Sequence, residues 1–591
     1  MRNFYEHSKY QLDIFDFVQH GHGNAVIEAS AGSGKTYALI KCVELIDPEE
    51  SILLTAFNKD IATELKKRVK DKLNVSALTM HALGLKMLHS NFPDAELALD
   101  EFKYVTYVNT NIKTLSSINT YKLSKGDYAR YMDNIHKYVN YGRYYLIEGV
   151  GGMDFIEERY DIDTVADEKE IAIEAILWGK HNLDTIDFTD MVCLPNTLSC
   201  KPYGLQFDWI LVDEAQDLSV AQRNILLKCR KINTRFMAFG DKNQTIYSFA
   251  SADPESFDEL KRIPNTISLP LSITYRCADK IVEHAQEIVP TIEKNNDHRE
   301  GEIVEDCQLD EVQDGDMILC RNNAPLMQVY VEYLRMGKKA FIRGKDIGLN
   351  LKNMVKRTKC PELNADLNRD GVFVQLYDRL FDVINELVVK SNIPYSDAIE
   401  SAYVSNMHDM IKALKILSEG TNSTEELIKR ISDVFSDRKK EGISLSTIHK
   451  AKGLEADNVY IVCKSLMPST QAKKPWEIEQ EKNLMYVAYT RPKNKLGFID
   501  ESKFADFKQN TGENIKELKA IERKVNLILG KTPKKIDVTN PYIAKEIVRH
   551  ATNICQRQPT SKIMGFGNTN SVNEFKPKNK LKPRRNVLFQ H

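Results

Sequence analysis

The stretch Ala29-Ser30-Ala31-Gly32-Ser33-Gly34-Lys35-Thr36 follows the apolar run Asn24-Ala25-Val26-Ile27, and no other feature of the chain constrains its fold as tightly. An apolar strand that passes into a loop of small residues ending in Gly-Lys-Thr is the pattern of a phosphate-binding P-loop, set in a parallel α/β sheet. Gly32 and Gly34 let backbone N–H groups approach phosphate oxygens, and the helix that follows turns its positive end toward them. Lys35 has the reach for the β- and γ-phosphates of a nucleotide, and Thr36 offers a hydroxyl to Mg2+. Ala29 stands where the general pattern has its first glycine. Taken alone, the same stretch also suits a solvent-exposed strand-to-helix turn.

A second signal lies about 180 residues on. The apolar run Ile210-Leu211-Val212 ends in Asp213-Glu214-Ala215-Gln216-Asp217, which puts two carboxylates at the carboxyl edge of a sheet. There Asp213 can hold Mg2+ through water, and Glu214 can orient and deprotonate an attacking water. Around these signals, short apolar runs alternate with amphipathic helical patterns, the rhythm of βαβ units. Strands are expected at Ser51–Thr55, Trp209–Val212, Arg235–Phe239, Asp316–Cys320, Gly442–Thr447, Asn458–Val462 and Lys495–Ile499, with a second α/β region opening near Ile267. Residues 90–186 and 356–441 are charged and helical in pattern, as insertions would be. Beyond about Gln556 the chain is rich in Asn, Lys and Pro, with Lys576, Lys578, Lys580, Lys582, Arg584 and Arg585 crowded together; such a tail is expected to be disordered and to meet phosphates or a partner.

Composition excludes some classes. The apolar fraction is 42%, the charged fraction 28% and the net charge −1, so no global positive field is present, although a local groove is compatible with that sum. The ten cysteines include no Cys-x-x-Cys pair, and Cys193 and Cys200, the closest two, have no histidine nearby; free thiols in a reducing cytosol are expected rather than a zinc site. The first residues carry no apolar core of a secretion signal, and no run approaches about 18 apolar residues, so a cytoplasmic chain without membrane contact is expected.

Asp213-Glu214-Ala215-Gln216-Asp217 resembles the DExxQD box of superfamily 1 helicases, and the UvrD/PcrA/Rep branch is the best match. The other boxes follow in that family's order. Gln11 lies upstream of the P-loop; Thr55-Ala56-Phe57-Asn58-Lys59, Thr79-Met80-His81 and Asp187-Phe188-Thr189-Asp190-Met191 come next. Gly240-Asp241-Lys242-Asn243-Gln244-Thr245-Ile246-Tyr247-Ser248-Phe249 resembles the third box. Thr274-Tyr275-Arg276, Cys320-Arg321-Asn322-Asn323-Ala324, Ser446-Thr447-Ile448-His449-Lys450-Ala451-Lys452-Gly453-Leu454-Glu455 and Tyr486-Val487-Ala488-Tyr489-Thr490-Arg491 complete the set. Met80, Ala456 and Asn483 depart from the usual residues of their boxes.

The resemblance implies two RecA-like parallel-sheet P-loop domains, each with a mainly helical insertion: domain 1 at 1–89 and 187–265 around an insertion at 90–186, and domain 2 at 266–355 and 442–505 around an insertion at 356–441. A helical extension (506–555) and the basic tail (556–591) would follow. It implies ATP and Mg2+ held between the domains. Gln11, the loop Ala29–Thr36, Tyr275 and Glu455 would bind nucleotide, Thr36 and Asp213 the metal. Lys35, Glu214, Gln244, Arg276 and Arg491 would act in hydrolysis, the two arginines as permanently charged forks for the γ-phosphate. Phe57, Asn58, His81, Tyr247, Phe249, Thr447 and His449 would grip single-stranded DNA by stacking and phosphate contact. The activity implied is ATP-driven unwinding with 3′-to-5′ movement, on single strands and junctions, by a monomer, with a replication or repair protein as a further partner of the tail. A translocase that remodels forks or strips proteins with little unwinding is the alternative.

Overall fold

Parallel strands covered by helices on both faces read as continuous apolar runs, and Ile52–Ala56 and Met317–Cys320 are buried at every position. The computed structural model describes residues 7–56, 59–120, 123, 125–247, 253, 255–389, 395–400, 402–435, 441–470, 472–500, 502 and 511–531. Strands β1 (Asn24–Ala29), β2 (Ile52–Ala56), β3 (Val75–Thr79), β6 (Phe207–Val212), β7 (Arg230–Gly240) and β8 (Thr266–Leu271) form one parallel sheet in the order β3-β2-β6-β7-β1-β8. Strands β4 (Ala98–Leu99) and β5 (Thr185–Ile186) pair separately, as do β9 (Ile273–Thr274) and β10 (Glu293–Lys294). A second parallel sheet takes β11 (Glu302–Val304), β12 (Met317–Cys320), β13 (Ala340–Ile342), β14 (Ile443–Thr447), β15 (Ala456–Val462) and β16 (Pro492–Ile499) in the order β11-β16-β15-β12-β14-β13. This is the expected α/β architecture of two parallel sheets.

Each sheet separates two cores. Side chains of β1 alternate between them: Val26 packs with Leu83, Ile210 and Phe236, while Ala25 and Ile27 pack with Ile14, Leu39 and Trp209. In the second sheet Leu319 and Val459 face one core and Ile318 and Tyr460 the other. Helices Lys103–Leu115, Lys125–Tyr144, Val150–Tyr160 and Glu168–His181 lie between β4 and β5, and Val372–Val389, Ala402–Leu417 and Thr424–Val434 precede β14. Among the described residues no helix is long and apolar enough to cross a membrane.

One expectation is corrected. The stretch near Ile267 does not open the second sheet; β8 lies along β1 from Asn24↔Thr266 to Ala29↔Leu271 and closes the first. Its half-exposed pattern marks an edge strand, which the run Thr266–Leu271 alone does not reveal. The chain crosses to the second sheet only after Thr274.

Candidate active site

The loop after β1 owes its shape to its glycines. Gly32 (φ +72°) and Gly34 (φ +84°) take the left-handed conformation that glycine adopts without cost, and Gly34 caps the helix Lys35–Leu45. The loop is also a docking surface for the second half of the chain. The Tyr275 N–H donates to the Gly32 carbonyl (2.9 Å), the Ala31 N–H donates to the Tyr486 hydroxyl (3.0 Å), and a Cβ on Gly32 would lie 2.6 Å from the Arg276 Cβ. Gln11 is buried and closes a capping box with Ser8, its amide nitrogen lying against Gly34. Ala29, Ala31, Ser30 and Ser33 are buried, Thr36 half-buried.

Lys35 reaches the Glu214 carboxylate at 3.3 Å. Glu214 sits just past β6 at φ 52°, ψ 46°, a left-handed conformation that costs a non-glycine residue about 1 kcal/mol or more and aims the carboxylate back at the P-loop. From it a chain of hydrogen bonds runs to the other domain. The Gln216 amide donates to Glu214 (2.6 Å) and accepts from the Asp241 N–H (3.1 Å); Gln244 donates to Asp241 (2.6 Å) and accepts from Arg491 Nη2 (3.3 Å). Beside it, Lys452 of the second domain binds Asp217 (2.5 Å) and the Gln244 carbonyl (2.7 Å). Asn483 donates to the Thr245 carbonyl (3.1 Å).

Charge is unevenly distributed across this seam. On the first domain Asp213, Glu214, Asp217 and Asp241 are packed around Lys35 and Lys452. Burial pushes the carboxyls of Asp213, Asp217 and Asp241 up. Burial acts on Glu214 too, but Lys35, Lys452 and the Gln216 hydrogen bond overcome it and hold this carboxyl down as the anion. Asp213 accepts the Glu214 N–H (3.0 Å). Its carboxylate and the Thr36 hydroxyl are hard oxygen donors beside a surplus of buried negative charge, a set that suits Mg2+, which keeps most of its shell as water and phosphate oxygen. On the second domain the charge is positive. The Arg491 side chain, 1% exposed, donates only to neutral oxygens: the Val487 and Leu454 carbonyls, the Thr490 hydroxyl and the Gln244 amide. Burial, and then the like charge of Arg276, lower its pKa to about 9. A buried guanidinium with no carboxylate is a standing attraction for an anion.

Arg276 binds Glu455 (2.8 Å) and the Thr490 carbonyl (3.2 Å), and Glu455 also meets Lys493 (2.9 Å). The nucleic-acid candidates fall into two groups. His81 lies in the first turn of the helix Met80–Asn91, capped by Thr79, and meets Phe188 edge-on; burial lowers its pKa. Thr447, at the end of β14, is buried. His449 follows it; burial and then Arg321 push its pKa down to about 4. Tyr247 crosses from the first domain to donate to the His449 carbonyl (2.8 Å), with the Lys452 ammonium 5.2 Å from its ring centre. Arg321 is gripped by the buried Glu481 through both nitrogens of its fork. Phe57, Asn58 and Phe249 lie outside the described residues, as does the basic tail. Gln216, Asp217, Asp241, Lys452 and Tyr486 were legible only as members of their boxes, without a role of their own.

Comparison with known proteins gives two family matches: residues 13–264 match the UvrD/REP helicase N-terminal domain, and residues 349–503 the UvrD-like helicase C-terminal domain. Together they take in about two thirds of the chain. The chain is 21% identical to the ATP-dependent DNA helicase Rep of Buchnera aphidicola subsp. Schizaphis graminum, over 80% of this chain and 91% of that protein. It is 26% identical to the F-box DNA helicase protein 1 of Schizosaccharomyces pombe, over 80% of this chain and 55% of that protein. To the ATP-dependent DNA helicase Rep of Escherichia coli it is 25% identical, over 49% of this chain and 43% of that protein.

Proposed function

Because the chain belongs to the UvrD/Rep-like superfamily 1 helicases, we propose that it is an ATP-dependent DNA helicase that moves 3′-to-5′ on single-stranded DNA and couples Mg-ATP hydrolysis to unwinding in replication, repair or recombination. The observation that carries the reading is the seam: Arg491, buried and without a carboxylate, reaches Gln244 across the domains, at the end of a hydrogen-bond chain that begins at Glu214 beside Lys35.

ATP bound on the P-loop takes Lys35 away from Glu214. Thr36 and Asp213 would hold Mg2+, which supplies charge neutralisation at the β- and γ-oxygens. Glu214, kept ionised by its cationic neighbours, is the group that accepts a proton from the attacking water. Arg491 and Arg276 come from the opposite domain to the γ-phosphate, where an arginine is worth about 10³–10⁵ in rate. Gln11 reads the adenine edge and Tyr275 stacks on its face. Glu455, already paired with Arg276 and Lys493, serves both to set Arg276 and to meet the ribose or phosphates. Loss of the γ-phosphate removes the partner of both arginines and lets the seam relax. Tyr247, three residues on from Gln244 and bonded to the His449 backbone, links that change to the DNA track of His81, Thr447 and His449, with Phe57, Asn58 and Phe249. The boundaries at 90, 187, 356, 442 and 506, a monomeric state and a cytoplasmic site of action belong to the same proposal.

Strand displacement on duplexes with a 3′ or a 5′ tail tests it, with Lys35→Ala as control. Unwinding only from a 5′ tail overturns the polarity, and ATPase activity indifferent to single-stranded DNA overturns the motor. Removal of streptavidin from a biotinylated strand without strand separation identifies the alternative, a translocase.

A further inference from the structure

The edge of the first sheet opposite β8 carries a feature that neither ATP hydrolysis nor the interdomain track uses. Strand β3 is the last strand of that sheet. Along its outer side runs a groove of about 310 Å3, floored by Val69, Val75, Ala77 and Leu78 and walled by Lys66, Lys70, Lys72 and Lys86. No carboxylate lines it, and among the described residues none of the four lysine ammonium groups is engaged in a hydrogen bond or ion pair. Lysines often guard a sheet edge against pairing with other chains, but a guard sits on the strand itself, and Val75–Thr79 carries no charge. Here the cations stand on the flanking helix, the turn and the following helix, and converge on the groove from both sides.

The groove and the candidate track share the helix Met80–Asn91. β3 runs directly into the helix Met80–Asn91, whose first turn carries His81 and whose middle carries Lys86, about 7.5 Å further along the axis. The five-residue strand β3 beneath it is about 17 Å long, room for several phosphates at their spacing of about 3.4 Å in a stacked strand. We propose that this groove is a second phosphodiester-binding site, which takes single-stranded DNA as it leaves the interdomain track on the His81 side. Four ammonium groups over an apolar floor give affinity without base preference, as a translocating motor requires.

This inference rests on the single-strand reading above, and the test separates the two. The full chain is compared with a Lys66→Gln/Lys70→Gln/Lys72→Gln/Lys86→Gln variant, on an oligo-dT just long enough to saturate the ATPase and on one twice as long, between 50 and 200 mM salt. Each phosphate contact adds about 0.7 to the slope of log Kd against log salt. On the long strand the variant's slope is expected to be shallower by about 3, so that raising the salt fourfold weakens it about 50-fold less than the parent. On the short strand, affinity and ATPase rate are expected to stay unchanged. Equal slopes on the long strand overturn the groove. So does a variant that keeps its slope but loses binding to polyglutamate, which would make an acidic protein the occupant. Failure of the parent's own ATPase to respond to the short strand would instead overturn the single-strand reading.

Discussion

Replacing Lys452 with methionine isolates the coupling between the two domains. The Lys452 ammonium is 2.5 Å from Asp217 and 2.7 Å from the Gln244 carbonyl, and the two side chains are 9% and 1% exposed. Methionine keeps the stem and its packing but leaves Asp217 as a buried carboxylate without its cation. Breaking a buried pair from one side costs about 3–5 kcal/mol. Burial already raises the Asp217 pKa, so proton uptake caps the cost near the lower figure. Because Lys452 belongs to the second domain and Asp217 to the first, opening the seam returns Asp217 to water and removes the penalty; the cost falls on the closed arrangement, where Arg491 reaches Gln244. A penalty of about 3 kcal/mol corresponds to a loss of about 150-fold in kcat/KM for DNA-stimulated ATP hydrolysis, with the urea midpoint little changed. Lys452→Met/Asp217→Asn removes the stranded charge and should recover most of that loss. Steady-state ATPase kinetics on saturating oligo-dT decide the matter. A single variant within threefold of the parent would refute a closing role, and a double variant as impaired as the single would refute it too and make Lys452 a group that meets ATP itself.

Three further outcomes follow from the geometry. Tyr486→Phe keeps the ring in its core but strips the Ala31 N–H of its acceptor, a loss of about 1–3 kcal/mol in a dry seam; kcat/KM for ATP should fall between about 5-fold and 150-fold, and an unchanged value would mean that the 3.0 Å contact does not contribute to closure. His408 is buried and its pKa is pushed down to about 3 by burial and Lys412, so below about pH 6.5 the unfolded chain binds a proton that the folded one refuses. Stability should therefore drop as pH falls from about 6.5 toward 3, and urea melts of His408→Leu should show a flatter slope than the parent; parallel slopes would contradict it. Trp476 of the second domain stands 6.3 Å from Tyr160 and 5.7 Å from the Arg159 guanidinium of the first insertion, beside Lys474 and its bond to the Arg159 carbonyl. Trp476→Ala should raise hydrogen exchange in the helix Val150–Tyr160 while ATP turnover on short oligonucleotides stays within twofold; unchanged exchange would show that this contact does not hold the insertion.

The sequence was most legible where chemistry dictates residue type. A loop that approaches phosphate needs Gly32 and Gly34 at positive φ, and an apolar run ending in Asp213 and Glu214 suits the carboxyl edge of a sheet; each alone also suits an ordinary turn, and the two together mark the site. Strands buried on both faces, such as Ile52–Ala56, were equally plain. The short edge strands were not: Val75–Thr79 and Ala340–Ile342 carry too few apolar residues to stand out, and β8 reads as the start of something new until its register with β1 is seen. The least legible part was the seam. Gln216, Asp241, Lys452 and Tyr486 gain their functions by meeting groups up to 455 residues away, and no local pattern distinguishes an amide that links two domains from one that faces water. Glu455 shows the same limit: its box suggests a nucleotide contact, and only the fold reveals its pairing with Arg276 and Lys493.

The central claim is that the ATP site is completed from the second domain, and Arg491 tests it most directly. Nucleotide affinity, measured with a fluorescent ATP analogue, and single-turnover hydrolysis on saturating oligo-dT should be compared for Arg491→Ala and the parent. A split site predicts affinity within about tenfold and a hydrolysis rate lower by about 10³ or more. Hydrolysis within tenfold of the parent would contradict it and leave Arg491 as a buried structural cation.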